Sequence, residues 1–453
     1  MQSPADRPTP PPGCPAHENG QNHRTPLYTG ALSADSAGVY DRLRKFGPAA
    51  PVELAPGVEA SLVTDYAAAL HVLQNPDMFP RDARRWRALN EGRVPADSPV
   101  RPMMEYLPGP LMADGAEHLR LRQAMTDSLA RVDTHRLTRL VDRSTKFLIS
   151  QFEAQGRVDL VGNYAQLVPL LVFNELFGCP GEIGDRVVYG ISGMFDGANA
   201  DEAKQILIGA LAELVQLKHS KPGDDITSWL LEHPAALTDE EMIPQLIQLM
   251  GAGMQPLADL IASALLVILR PDDQNGGELL VEDAIDSVLW NNPPIANYAA
   301  HYPVQDVDLG GSKLDAGDPV LISFAAANSD PSLSTSRQTL SRRAHLAWGA
   351  GPHACPAKDP ARLITARAIE ILLNQLPDLE LAVDQDKLVF TPGPFHVAVT
   401  ELPARFTRPV REEARPTPRA AAAPGSSGPQ REQTSAAPQQ KGFWSGFLSW
   451  WKG

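Results

Sequence analysis

WGAGPHACPAKDPARL, residues 348–363, is the stretch whose reading decides the fold. Gly349 and Gly351 let the backbone approach a flat ligand closely, in conformations that other residues resist. Cys355 follows at a short fixed distance, and a helix begins near Asp359-Pro360. A thiolate just ahead of a helix is favoured by the helix dipole and by N–H groups that lack an intrahelical partner. The thiolate is also the form of cysteine that binds a metal. Alone, the same loop fits a buried structural cysteine in a glycine-rich turn equally in kind.

Upstream, ADGAEHLRLRQAM (113–125) reads as a helix with His118 and Arg122 at i and i+4 on one face. A guanidinium there suits a carboxylate through paired donors; a solvated amphipathic face is the competing reading. TDEEMIPQLIQLMGAGMQPLADLIASALLVIL (238–269) reads as one long helix, with Thr238 and Glu241 spaced as a capping box. Gly251, Ala252 and Gly253 strip side chains from its middle. Pro256 has no N–H for the Ala252 carbonyl, which predicts an opening of the helix at that point. Residues 51–66 read as short strands around a Pro-Gly turn. The pattern from about 67 to 270 is mainly helical, with spacings such as Leu137, Leu140, Val141 and Leu148. Residues 303–325 turn strand-like, with Gly310-Gly311 at a hairpin turn. Another helix runs from about 360 to 376, and 380–405 return to strands. Many helices with small segregated sheets make the class α+β, mainly α-helical.

The 453 residues are 43% hydrophobic and 21% charged, enough apolar material for a deep core. A net charge of −14 argues against a nucleic-acid binder, which would show a basic face. Cys14, Cys179 and Cys355 are too few and too scattered for a disulfide framework. Cys179 reads as a small structural hydrophobe, and Cys14-Pro-Ala-His17 is half of a metal spacing with no second half. Residues 1–30 form a flexible N-terminal segment without the apolar stretch of a signal peptide. No uninterrupted apolar run reaches ~18 residues, and the expected compartment is the reducing cytoplasm. The main domain is expected over 31–410. Residues 411–441 are a disordered Pro/Ala/Ser/Gln-rich linker. In the tail, 442–453, Phe443, Trp444, Phe447, Leu448 and Trp451 share one face if helical. Such a face suits a membrane surface or a protein partner, so a peripheral position at the inner face of the membrane is also expected.

The cysteine stretch resembles the haem loop of cytochromes P450, F-G-x-G-x-H/R-x-C-x-G. Gly349, Gly351, His353 and Cys355 match, while Trp348 replaces the Phe and Ala357 the last Gly. The resemblance covers about residues 30–407. It implies the cytochrome P450 fold with small β-sheets, and haem b as cofactor with the Cys355 thiolate as axial metal ligand, which favours O–O cleavage. It implies a monooxygenase that inserts one oxygen atom from O₂ into a small organic substrate. Electrons would come from ferredoxin and ferredoxin reductase. His118, Arg122, His301 and His353 become the propionate candidates, and Trp348, Gly349 and Gly351 the loop against the haem. Ala252, Gly253 and Met254 would line the distal side, with Gln255 in proton relay. Arg342, Arg343, Lys358 and Arg362 would offer the redox partner a basic patch.

Several positions depart from the family. The distal acid–alcohol pair is replaced by Gln255-Pro256. The E-x-x-R ion pair is replaced by Ser287 and Trp290 in IDSVLWNNPP (285–294), as in a minority of bacterial members. Loss of both charges together leaves no unpaired buried ion. His301 stands where an arginine is usual, and Ser329 replaces the Arg of A-A-N-R-D-P in AAANSDP (325–331). The segment from Asp330 to His345 lacks the aromatic-Pro-Arg-Phe meander, and GGELL (276–280) replaces a fuller helix. These departures keep two alternatives open: a haem-binding sensor or accessory protein in a membrane-associated small-GTPase signalling system, and peroxide-driven oxidation.

Overall fold

The computed structural model describes residues 24–196, 200–270, 280–334, 341–391 and 393–408. The expected linker 411–441, the tail 442–453, Cys14, His17 and most of GGELL lie outside the described residues.

Helices dominate, and their buried faces follow the 3.6-residue period. In Thr134–Phe152 the buried positions include Leu137, Leu140, Val141 and Leu148, and the Asp133 carboxylate caps its first turn by accepting from Arg136 N–H at 2.6 Å. The helices that build the site are α1 (Tyr66–Gln74), α2 (Gly115–Ala130), α3 (Leu167–Leu176), α4 (Asp239–Ile268), α5 (Val281–Asn291) and α6 (Lys358–Gln375). The longest, α4, packs against α3, α5 and α6 in the main apolar cluster. It is apolar enough to cross a membrane by length and composition, yet 56% of its most apolar window is buried inside the protein. The Thr238–Glu241 capping box is formed in both directions, and Glu241 also pairs with Arg120 of α2. α4 runs on through Pro256 without a break. The ring removes one donor from a long ladder, and burial of Leu257, Leu260, Ile261 and Leu265 holds the turns beyond it.

The larger sheet runs Thr25–Pro26, Ala49–Ala55, Val58–Val63, Val320–Ser323 and Asn297–His301 in space. The middle of it is parallel, Leu62 opposite Leu321, and every residue of Val320–Ser323 is buried. Val307–Leu309 and Ser312–Leu314 form the expected hairpin. Gly310 (φ 59°) and Gly311 (φ 94°) supply the two positive angles its two-residue turn needs. Residues 380–405 carry less strand than expected. Glu380–Leu381 and Pro403–Arg405 pair, joined by Arg157–Asp159, and between them only Phe390 and Val399 bridge. Pro394 has no N–H to give a ladder there.

Candidate functional site

The cysteine loop lies between α5 and the start of α6. Cys355 N–H donates to the Trp348 carbonyl at 2.7 Å and Gly349 N–H to Leu346 at 2.7 Å, which closes the loop on itself. Gly349 sits at φ 69° and Gly351 at φ 68°. A Cβ on Gly351 would fall 2.3 Å from the Leu73 carbonyl oxygen, at the C-terminal turn of α1. The close approach at Gly351 is therefore to α1, not to a ligand. Asn328 fastens the preceding segment, donating to Leu289 O at 3.0 Å and accepting from Leu346 N–H at 2.7 Å. Trp290 Nε1 donates to Arg342 O at 2.7 Å, and its ring stands edge-on to His345 at 5.7 Å.

Where an E-x-x-R pair is missing, a different clasp ties α5 to α6. Arg362 donates to Asp286 and to Glu282, each at 2.5 Å. Arg342 pairs with Asp283. Of the four cations expected to form a basic patch on this face, Arg342 and Arg362 are thus paired with carboxylates within a single turn of α5, while Arg343 and Lys358 are exposed.

One cavity is lined by Cys355, Trp348, Gly349, His353, Arg122 and Arg81 on one side and by α4 on the other. Burial pushes the Cys355 thiol up; the Ala357 N–H, Arg122 and Lys358 pull the other way. A bound metal would remove that proton outright. Arg122 donates to Ala354 O, fixing the residue before the cysteine. His118 is 3% exposed and its ring lies 4.2 Å from that of His353. Burial, then His353 and Arg122, push His118 down to about 4. His353 Nε2 faces Asp114 Oδ1 at 3.3 Å, and Asp114 Oδ2 accepts from Arg81 N–H at 2.9 Å. Burial opposes ionisation of Asp114, but the His353 and Arg81 contacts hold it below the usual carboxylate range.

Arg81 is the residue that sequence reasoning missed. It is 7% exposed, lines the cavity, and its Nε has no hydrogen-bond partner. His301, expected in this role, adjoins the same cluster, within electrostatic reach of Arg81, His353 and Asp114, and its Nε2 is buried without a partner. Its Nδ1 meets Phe79 O at 2.7 Å, and burial pushes it down to about 3. His118 Nε2 is likewise buried without a partner. A buried guanidinium and an unpaired imidazole beside Arg122 fit the carboxylates of a haem held at a cysteine sulfur, while Asp114 is taken up by His353 and the Arg81 N–H. The residues present therefore fit the cofactor.

On α4 the wall positions are Gln248, Leu249, Ala252, Gly253, Pro256, Leu257 and Leu260, spaced by the helical i, i+3, i+4 pattern. Ala252 and Gly253 are where the sequence put them. Met254 and Gln255 are not, because the helix turns them off that row. Met254 packs into the main core, and Gln255 Nε2 donates to Asp259 Oδ1 at 2.8 Å. Gly251 is also off the wall. A Cβ on Gly253 would lie 2.5 Å from Phe173 Cε2, so this glycine makes room for the α3 ring. Cys179 is half-buried against the main core and its thiol is pushed up to about 12 by burial, in keeping with a structural role.

Asp259 is 7% exposed and raised to about 7 by burial, which the Gln255 amide partly offsets. The folded state keeps a proton that the unfolded chain releases from pH ~4 upward, so stability falls as pH rises from ~4 to ~7. The shift corresponds to roughly 4 kcal/mol. Asp259→Asn is expected to be more stable than wild type at pH 8 and to lose that advantage at pH 4, measured by urea unfolding at both values.

The comparisons with known proteins agree with this architecture. The 2-hydroxy-5-methyl-1-naphthoate 7-hydroxylase of Streptomyces carzinostaticus is 30% identical over 376 residues, 78% of this chain and 91% of the relative. Cytochrome P450 monooxygenase PikC of Streptomyces venezuelae is 31% identical over 407 residues, 84% and 94% of the two chains. Among solved structures, CYP154C4 from Streptomyces sp. W2061 has a TM-score of 0.74 at 26% identity, covering 84% of this chain and 97% of that one. No family model matches the chain.

Proposed function

The chain belongs to the cytochrome P450 family of haem-thiolate monooxygenases, and on that footing we propose that it inserts one oxygen atom from O₂ into a small, largely apolar organic substrate. The observation that carries this reading is the Cys355 sulfur facing, across one cavity, the side-chain-poor wall of Ala252 and Gly253. Bound haem supplies the O₂ activation. Cys355 would hold its iron through the sulfur, and Arg81, Arg122 and His353, backed by His118, would hold its carboxylates. Leu111, Phe173, Phe177 and Leu249 give the substrate an apolar enclosure that excludes water. A hydroxylase of an aromatic acid among the relatives supports a substrate of this size class.

Residues 31–410 form the haem domain, and we assign the chain to the minority of bacterial members without E-x-x-R. Ser287 and Trp290 at the Glu and Arg positions support that assignment, and the Arg362 clasp to Asp286 and Glu282 holds the same helix to α6. A ferredoxin-type donor working in the cytoplasm fits this reading, with the aromatic tail as a peripheral attachment. A reduced, carbon monoxide-bound spectrum tests the ligand class. Product formation coupled to NADH consumption with ferredoxin and its reductase tests the activity; a thiolate band without any turnover across a broad substrate panel would overturn the enzymatic reading.

Pro356 offers the sulfur no N–H, leaving Ala357 as the backbone donor. Pro356→Leu is expected to raise the iron reduction potential by roughly 40 mV, taking ~1 kcal/mol per added hydrogen bond and ~59 mV per tenfold for one electron. Spectroelectrochemistry showing no rise would defeat the argument.

A further inference from the structure

We infer that the Gln248 carboxamide is the polar anchor of the substrate cavity, and that it selects neutral, largely apolar molecules carrying a carbonyl oxygen. The inference rests on the monooxygenase reading and names the substrate class within it. From Leu249 to Leu260 the α4 positions that face the cavity are apolar or lack a side chain, and Gln248 is the polar member of that wall. It is 8% exposed. Its Oε1 accepts from Leu111 N–H at 3.1 Å, which pins the strap of residues 105–114 to α4. Its Nε2 is buried with no hydrogen-bond partner among the described residues.

The two ends of the amide therefore have different fates. One end holds the strap, and that bond fixes where the other end lies. The free nitrogen sits at the seam where the strap meets the cavity. A Cβ on Gly109 would fall 2.4 Å from it, and the next two residues, Pro110 and Leu111, line the cavity. A buried N–H without an acceptor is a standing cost that a ligand oxygen entering the seam relieves.

The class of ligand follows from what surrounds the amide. Neither α4 nor the strap carries a Lys or Arg. A carboxylate there would lie in apolar surroundings without a counter-charge, whereas a neutral carbonyl needs one donor. Tyr298, also on the cavity wall, already donates its hydroxyl to Met103 O at 2.7 Å. Arg81, Arg122 and His353 serve the haem carboxylates in the proposed reading. Ala252 lies one turn, about 6 Å, further along α4 than Gln248. An oxygen held at Gln248 thus leaves the apolar remainder of the molecule beside the Ala252–Gly253 wall.

The test uses full-length haem-loaded protein whose reduced, carbon monoxide-bound form shows the thiolate band. The probes are 4-phenylcyclohexanone labelled with carbon-13 at the carbonyl, phenylcyclohexane and 4-phenylcyclohexanecarboxylate. Binding is measured by equilibrium dialysis at pH 8, and the labelled carbonyl stretch by difference infrared spectroscopy. In wild type the stretch is expected below its value in alkane solvent. Gln248→Leu and Gln248→Met should return it to that value. Both should weaken the ketone roughly fivefold or more, the loss of one hydrogen bond, while phenylcyclohexane binds as before or better. The carboxylate should bind wild type roughly tenfold or more weakly than the ketone does. A ketone that fails to bind wild type, or binds with an unshifted stretch, overturns the anchor whatever the variants do. A loss shared equally by ketone and hydrocarbon in both variants also overturns it and leaves Gln248 as a fastener of the strap. A carboxylate that binds more tightly than the ketone overturns the neutral class. Absence of the thiolate band in wild type is a separate result and defeats the monooxygenase reading instead.

Discussion

Cys355→Ser is expected to abolish the thiolate-type absorption band of the reduced, carbon monoxide-bound protein completely and to bring NADH-driven oxidation to background. A serine hydroxyl is neutral near pH 7 and cannot replace the charge that a sulfur ligand carries. The rest of the loop should survive, because its closure depends on the backbone bond from residue 355 to Trp348 O and on Arg122 at Ala354 O. Haem bound through the basic cluster would then be present with an altered spectrum. An unchanged band in this variant would remove Cys355 from the metal.

Arg81→Leu is expected to move two properties in opposite directions. In the haem-free protein the guanidinium is buried and its side chain makes no hydrogen bond or ion pair among the described residues. Replacing it by an apolar side chain should raise stability by ~1–4 kcal/mol. The Arg81 N–H to Asp114 is a backbone contact and outlasts the change. Haem affinity should fall by roughly 10- to 150-fold, the equivalent of ~1.5–3 kcal/mol for a hydrogen bond to a charged group. Chemical unfolding of the haem-free protein and haem transfer to a competing apo-globin give the two numbers. A loss in stability together with unchanged affinity would assign Arg81 a purely structural role.

Much of this was legible in the sequence because it is local. The glycines of 349–351, the Thr238–Glu241 box and the Gly310-Gly311 turn each rest on a few neighbouring residues with strict backbone demands. The class follows from periodicity summed over long helices. What escaped was set by long-range partners. Arg81 stands among several arginines in FPRDARRWR, and only its contact with Asp114 and the cavity wall singles it out. His301 stands where an arginine is usual, and only the structure shows that Phe79 O takes its Nδ1 while its Nε2 stays free. Arg342 and Arg362 looked like free charge because their acidic partners on α5 lie 59 and 76 or more residues away. Met254 and Gln255 were a matter of helical phase. The row of Leu249, Ala252, Gly253, Pro256 and Leu257 excludes them once its first member is known.

The Arg362 clasp has a further consequence for how electrons arrive. With two of its four cations paired, this face projects a weaker field into solvent from Arg343 and Lys358 alone, so encounter with a donor protein gains less from long-range attraction. Association should then approach the unsteered regime of ~10⁵–10⁶ M⁻¹s⁻¹ and vary little with ionic strength. Discrimination among donors would rest on surface shape, which makes this chain tolerant of surrogate electron supplies from unrelated hosts.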